Sequence, residues 1–264
     1  MTPAVVATDL DGTVVRSDGT ISPRTRAALT RARAAGALVV VVTGRPPRWL
    51  AGIGEALGHD GIAICANGAL TYDLATGRVI ASRPIGLDVV RTLMAQLRAS
   101  VPGVVFAVER VDGQFAHESA YLPRWEPEPT TIVGDLEQVF DVPIAKVLGR
   151  VEGVDSDRLL AAARASVGDG LATLTHSSID GLLEVMAYGV TKATTLDHWL
   201  AARGLSAADV VAFGDMPNDL EMLTWAGRGV AVANAHPDVL AVADEVTASN
   251  DDDGVAVVLE RLFP

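Results

Sequence analysis

Two carboxylates stand two residues apart in the segment VVATDLDGTVV (5–15), where an apolar run ends in Asp9 and Asp11. Like charges this close repel, and burying them is costly unless a cation is present. The residues DLDGT also suit an ordinary turn, so the segment by itself leaves both readings open. Two more acids, Asp215 and Asp219, stand in GDMPND (214–219), again behind an apolar run, DVVAF. Other polar groups follow apolar runs in the same way: Thr43, Gly44 and Arg45 after ALVVVV, and Asn67 and Gly68 after GIAIC.

The runs that carry these residues read as strands separated by helices. Ser22 as N-cap and Pro23 at the first helical position begin a helix that Gly36 ends. A helix over roughly 46–57 separates ALVVVVT from GIAIC. The pattern returns late, with a helix near 191–203, strand DVVAFGD, helix PNDLEMLTWAG, strand RGVAVA, a helix near 236–242 and a last one over DGVAVVLERLF. Strands that are apolar throughout, rather than alternating, are covered on both faces and therefore belong to a parallel sheet with crossover helices. The expected fold is α/β, a doubly wound, Rossmann-like core formed by residues 1–83 and 188–264. Residues 84–187 break the pattern with hairpin-like strands and grouped helices, which suggests an inserted α+β cap domain. The crossings between the two fall near 83–86 and 187–189.

An open α/β sheet binds its ligands beyond the carboxyl ends of its strands. That rule gathers Asp9, Asp11, Thr43, Gly44, Arg45, Asn67, Gly68, Asp215, Asn218 and Asp219 at one rim. Three acids at strand ends, without His or Cys nearby, suit a shared hard cation with oxygen ligands, which favours Mg2+.

Composition narrows the partners. The chain has 33 Asp and Glu against 21 Lys and Arg, a formal charge of −12, which disfavours nonspecific attraction to nucleic acid or anionic lipid. ALVVVV is too short to span a bilayer, and the N-terminus has no basic segment leading into an apolar one, so the expected location is cytoplasmic with no membrane partner. Cys65, the one cysteine of the sequence, reads as core. His117, His176 and His198 have no ligand-like spacing and read as structural or surface groups. Asp251, Asp252 and Asp253 read as a helix N-terminus favoured by the dipole.

The sequence resembles the haloacid dehalogenase-like superfamily, and within it the Cof-type phosphatases with a large cap. The resemblance rests on DLDGT (9–13), VVTGR (41–45), the lysine of GVTKA at Lys192 and GDMPND (214–219), in that order. CANGA (65–69), VANAHPDV (232–239) and SNDDDGVA extend it. It implies that Asp9 is the nucleophile of an aspartyl-phosphate mechanism and Asp11 the general acid and base. It implies Mg2+ between Asp9, the backbone carbonyl of Asp11 and Asp215, and phosphate binding by Thr43, Gly44, Lys192 and Asn218, with Asp219 behind them. Candidate substrate contacts are Arg45, Asn67, Arg124 and Trp125, the last two in a proline-rich loop of the cap. The implied activity is Mg2+-dependent hydrolysis of small phosphorylated metabolites such as sugar phosphates, nucleotides or flavin mononucleotide. A phosphomutase and a non-enzymatic phosphate sensor are the alternatives, and haloalkanoate dehalogenation is disfavoured because it has no use for Asp11 and Asp215.

Overall fold

The computed structural model describes residues 2–57, 61–124 and 130–264. The first stretch of the chain forms β1 (Val5–Thr8), α1 (Pro23–Ala34), β2 (Leu38–Val42), α2 (Ala51–Leu57), β3 (Ile62–Cys65), β4 (Leu70–Asp73) and β5 (Arg78–Ser82). Then come α3 (Leu87–Ser100), β6 (Val105–Arg110), β7 (Phe115–His117), β8 (Ile132–Val133), β9 (Ile144–Arg150), α4 (Ser156–Ser166), β10 (Ala172–Thr175) and β11 (Leu182–Ala187). The last stretch forms α5 (Lys192–Ala201), β12 (Val210–Gly214), α6 (Leu220–Trp225), β13 (Arg228–Ala231), α7 (Pro237–Val242), β14 (Glu245–Val246) and α8 (Gly254–Leu262). The chain divides into two compact units, Met1–Ala81 with Thr191–Pro264, and Ser82–Val190.

The first unit is built on a sheet ordered β14-β13-β12-β1-β2-β3-β4-β5. β1 lies parallel between β12 and β2, with Thr8 beside Phe213 on one side and Val41 on the other. β3, β13 and β14 continue the parallel pairing. Every residue of β1 and β12 is buried, the physical reason for their unbroken apolar composition. α1 starts where Ser22 Oγ accepts the Thr25 amide at 3.0 Å, and it buries Ala28, Leu29 and Ala32.

Three local readings change. The helix expected over 46–57 is a 3-10 turn, Pro47–Trp49, followed by α2. Pro47 disfavours helical backbone at Pro46, which is extended (φ −72°, ψ 158°). The helix expected from Pro217 likewise begins as a 3-10 turn, Pro217–Asp219, before α6. Residues 70–82, given no element in the sequence reading, add β4 antiparallel to β3, with Cys65 opposite Leu70, and β5 beyond it. β5 is exposed throughout, so it lacks the buried apolar signal that reveals the central strands.

The second unit is a sheet ordered β10-β11-β9-β6-β7-β8. β9 is antiparallel to both β6 and β11. α3 turns Val90, Leu93, Met94 and Leu97 into a core shared with Phe106, Val108, Val147, Leu159, Leu183 and Val185. α4 is capped by Asp155, whose carboxylate accepts the Arg158 amide at 3.2 Å. Lys146 and Glu184 form a buried ion pair at 2.7 Å. Among the described residues no helix is long and apolar enough to cross a membrane.

Candidate active site

The parallel register of β1, β2, β3 and β12 brings their carboxyl ends to one edge; β1, β2 and β12 are followed at once by a polar residue, and β3 by Ala66 and then Asn67. Asp9 follows β1, its amide bonded to the Phe213 carbonyl of β12 at 3.0 Å. Asp215 follows β12, and Thr43 follows β2.

Lys192 comes from far along the chain. It opens α5, where Thr191 and Thr194 cap each other. Gly68 is what lets that helix end approach β3: at φ +104°, a Cβ there would lie 2.3 Å from the Thr191 carbonyl oxygen. Thr195 Oγ1 then donates to the Gly68 carbonyl at 2.8 Å. The buried Lys192 ammonium donates to Asp9 Oδ1 at 2.6 Å and Asp219 Oδ1 at 2.7 Å. Asp219 Oδ2 accepts the backbone amides of Asp215 and Met216, each at 3.1 Å. Asp219 therefore orients the lysine with one oxygen and the β12 loop with the other.

Asp9, Asp215 and Asp219 each offer an oxygen within 4.8 Å of the others. Burial pushes the Asp9 carboxyl well above the usual range; Lys192 opposes this, and Asp219, Asp215 and Asp11 reinforce it. Asp215 is pushed up to about 7, by burial first and the Asp219 charge second, against a hydrogen bond from Thr13 and the Lys192 charge. Burial works against the charged form of Lys192, but Asp219 and Asp9 outweigh it and hold the ammonium above its ordinary value. Three buried acids thus share one buried base, an excess of negative charge that a divalent cation would relieve. The donor set fits such a cation: all oxygen, with Asp9 Oδ2 and Asp215 Oδ2 left open by the hydrogen bonds among the described residues.

The remaining sequence candidates separate into three groups. Asp11 lies outside the acidic cluster: its carboxylate receives both Arg45 Nε, at 2.7 Å, and Arg45 Nη2. Thr43 is buried and its hydroxyl accepts the Arg45 amide at 3.1 Å, with Gly44 between them in the turn. Asn218 Nδ2 donates to Asn67 Oδ1 at 3.0 Å, and Asn218 Oδ1 is buried with no partner among the described residues. Asn67 is held in left-handed backbone (φ 55°, ψ 31°). Arg124 belongs to the second unit and pairs with Asp180 at 3.6 Å. Trp125 lies outside the described residues.

Several supporting residues escaped the sequence reading. Thr13 Oγ1 donates to Asp215 Oδ1 at 2.8 Å; its place in DLDGT was a signal that it shares the loop. Asn234 Nδ2 donates to the Gly12 carbonyl at 2.8 Å while its Oδ1 accepts the Asn250 amide at 2.9 Å. Asn250 Nδ2 reaches the Val15 carbonyl at 3.0 Å. Asp251 and Asp253 were read as a dipole-favoured helix N-terminus. They do precede α8, with Asp253 at the N-cap position; in addition Asp251 binds the Ser17 amide and hydroxyl, and Asp253 pairs with Arg16 at 2.7 Å. Asp253 caps no amide with its side chain and sits in left-handed backbone. Cys65 is buried, as expected of a core residue.

Residues 6–259 match the model of the haloacid dehalogenase-like hydrolases. Pyridoxal phosphate phosphatase YbhA of Escherichia coli is 30% identical over 97% of this chain and 97% of its own length. The 5-amino-6-(5-phospho-D-ribitylamino)uracil phosphatase YitU of Bacillus subtilis is 31% identical over 99% and 98%. Among solved structures, the phosphatase BT1666 of Bacteroides thetaiotaomicron superposes with a TM-score of 0.81 at 25% identity, covering 99% of this chain and 95% of that one. SMU.1108c of Streptococcus mutans shares the fold, with a TM-score of 0.84 at 21% identity and 98% of each chain covered. With matches that run through both core segments and the insertion between them, the chain belongs to the haloacid dehalogenase-like hydrolases of Cof type and is a phosphoric monoester hydrolase.

Proposed function

We propose that the protein hydrolyses small phosphorylated metabolites with Mg2+ through a phosphoryl group carried on Asp9. The observation that carries this reading is the buried Lys192 ammonium joined to Asp9 and Asp219 with Asp215 alongside. Asp9 attacks phosphorus, forming an acyl phosphate while the ester oxygen leaves, so that one difficult displacement becomes two easier ones. Asp11 gives a proton to the departing oxygen and later takes one from the water that attacks the acyl phosphate. Lys192 favours the ionised form of Asp9 against the effect of burial and meets the phosphoryl charge with a fixed cation. The Thr43 hydroxyl, the Gly44 amide and the Asn218 side chain are the groups that would hold the phosphoryl oxygens. Asp9, Asp215 and the backbone carbonyl of Asp11 would hold Mg2+, which when bound supplies positive charge shared by the nucleophile and the phosphoryl group.

The named substrates of YbhA and YitU are both phosphate esters attached to a nitrogen heterocycle, which supports including that class beside sugar phosphates, nucleotides and flavin mononucleotide. The test is phosphate release from such a panel, with the metal first chelated and then restored. Turnover that vanishes on chelation and returns with Mg2+ is expected, with inhibition by Ca2+, whose larger and looser shell disturbs in-line geometry. Full turnover in excess chelator would overturn the metal assignment.

A further inference from the structure

Among the described residues, Arg45 is the side chain that holds the Asp11 carboxylate, and it does so through both oxygens. Its own position is fixed from several sides. Its amide donates to Thr43 Oγ1 at 3.1 Å, its carbonyl accepts the Ala66 amide at 3.0 Å, and Nη1 reaches the Trp49 carbonyl at 3.4 Å. The Arg45 side chain is 23% exposed, whereas that of Asp11 is 60% exposed. The arginine is thus the anchored partner and the aspartate the one that needs holding.

We propose that Arg45 is a positioning residue for Asp11: its guanidinium, fixed by the turn after β2, sets the orientation from which that carboxylate exchanges its proton with the leaving oxygen. The proposal rests on the reading of Asp11 as acid and base. A planar fork matches a carboxylate at two points and so fixes its rotation, which a point charge such as lysine does not. The fork takes one lone-pair direction on each oxygen, and a carboxylate has about four such directions, so the solvent-facing ones stay open to a proton donor. An ion pair this exposed adds little to stability, which leaves orientation as its physical effect. Without it, an exposed aspartate distributes itself over its staggered rotamers.

The experiment compares kcat/KM for phosphate esters of rising leaving-group pKa in the wild type, Arg45→Ala, Arg45→Gln, Arg45→Lys, Asp11→Asn and the double variant Asp11→Asn with Arg45→Ala. Urea unfolding verifies that each is folded. Arg45→Ala and Arg45→Gln are expected to lose on the order of 10²-fold with alkyl phosphates, the cost of a misplaced reacting group. With p-nitrophenyl phosphate, whose leaving group needs little acid, the loss should stay within about threefold. Arg45→Lys should recover only part of the alkyl activity, and Arg45→Ala should cost nothing further once Asp11 is Asn. A loss equal for all leaving groups and undiminished in the Asp11→Asn background would overturn the proposal in favour of direct substrate binding by Arg45. No loss in either Arg45 variant would overturn it too. Asp11→Asn that is unimpaired with alkyl phosphates would instead reject the acid-base reading itself, independently of Arg45.

Discussion

Chelating all metal and raising the pH should weaken this protein, and Asp215 sets the window. Its carboxyl titrates at about 7 in the folded chain against an ordinary 3.8. The folded state therefore keeps this proton where the unfolded state has lost it. Stability from this group is fully present below the ordinary value and is lost as pH rises through about 7. The fall across that window is on the order of 4 kcal/mol. Exposed acids with lowered values, such as Asp18 and Asp251, act in the opposite sense but at lower pH, so the range from pH 5 to 7.5 reports the buried acids, Asp215 together with Asp9, whose carboxyl is also held above its usual range. Urea unfolding followed by tryptophan fluorescence in chelator should show stability falling across that range. Adding Mg2+ at about 100 times its dissociation constant should return roughly 2.7 kcal/mol at pH 7.5. Asp215→Asn keeps an oxygen for Thr13 but removes the charge. This variant should lose the Asp215 share of the pH slope and the Mg2+ response, and at pH 7.5 in chelator it should be more stable than the wild type. Metal-free stability that stays level or rises between pH 5 and 7.5, or an equal fall in Asp215→Asn, would refute the reasoning.

Lys192→Ala leaves Asp9 and Asp219 buried without their shared ammonium; breaking such a pair costs about 3–5 kcal/mol, and kcat/KM should drop for every ester in the panel by a similar factor, since the group meets only what all substrates share. A drop confined to some substrates would place Lys192 against the leaving group instead. Gly12→Ala puts a Cβ 2.3 Å from Asp215 Oδ2 at a backbone φ of +74°, so Asp215 must shift; Mg2+ affinity measured by titration calorimetry should weaken by about 10- to 100-fold, the scale seen when the support of a metal ligand is disturbed.

What the residues reveal in advance follows from where the strong constraints lie. β1, β2, β3 and β12 are almost wholly apolar because both faces are covered, and Asp9, Thr43 and Asp215 follow three of them while Asn67 lies two residues past the other, so their shared polar edge can be read directly. β4 and β5 escape that reading because antiparallel edge strands need no such run, and β5 is exposed along its whole length. The partner of Lys192 is harder to foresee. Its reach to Asp9 spans much of the chain and depends on Gly68 letting α5 close on β3, a steric allowance with no signature beyond the glycine itself. The Asp11–Arg45 pair is similar: both residues stand out for their place in a motif, but their contact is set by the turn after β2 and not by spacing. Pro47 and Pro217 shorten two helices, an effect legible in principle, since proline constrains the residue before it.

The central claim is that Asp9 carries the phosphoryl group. A rapid quench of the Asp11→Asn variant with labelled p-nitrophenyl phosphate and Mg2+, followed by acid denaturation and peptide mass spectrometry, tests it most directly. Asp11→Asn still permits attack on an ester with a good leaving group but removes the base that activates water, so label should build up on the peptide containing Asp9 within the first turnover. Asp9→Asn should show none. Turnover of the ester with no label on Asp9 at any time would mean that water attacks phosphorus directly, and would contradict the account.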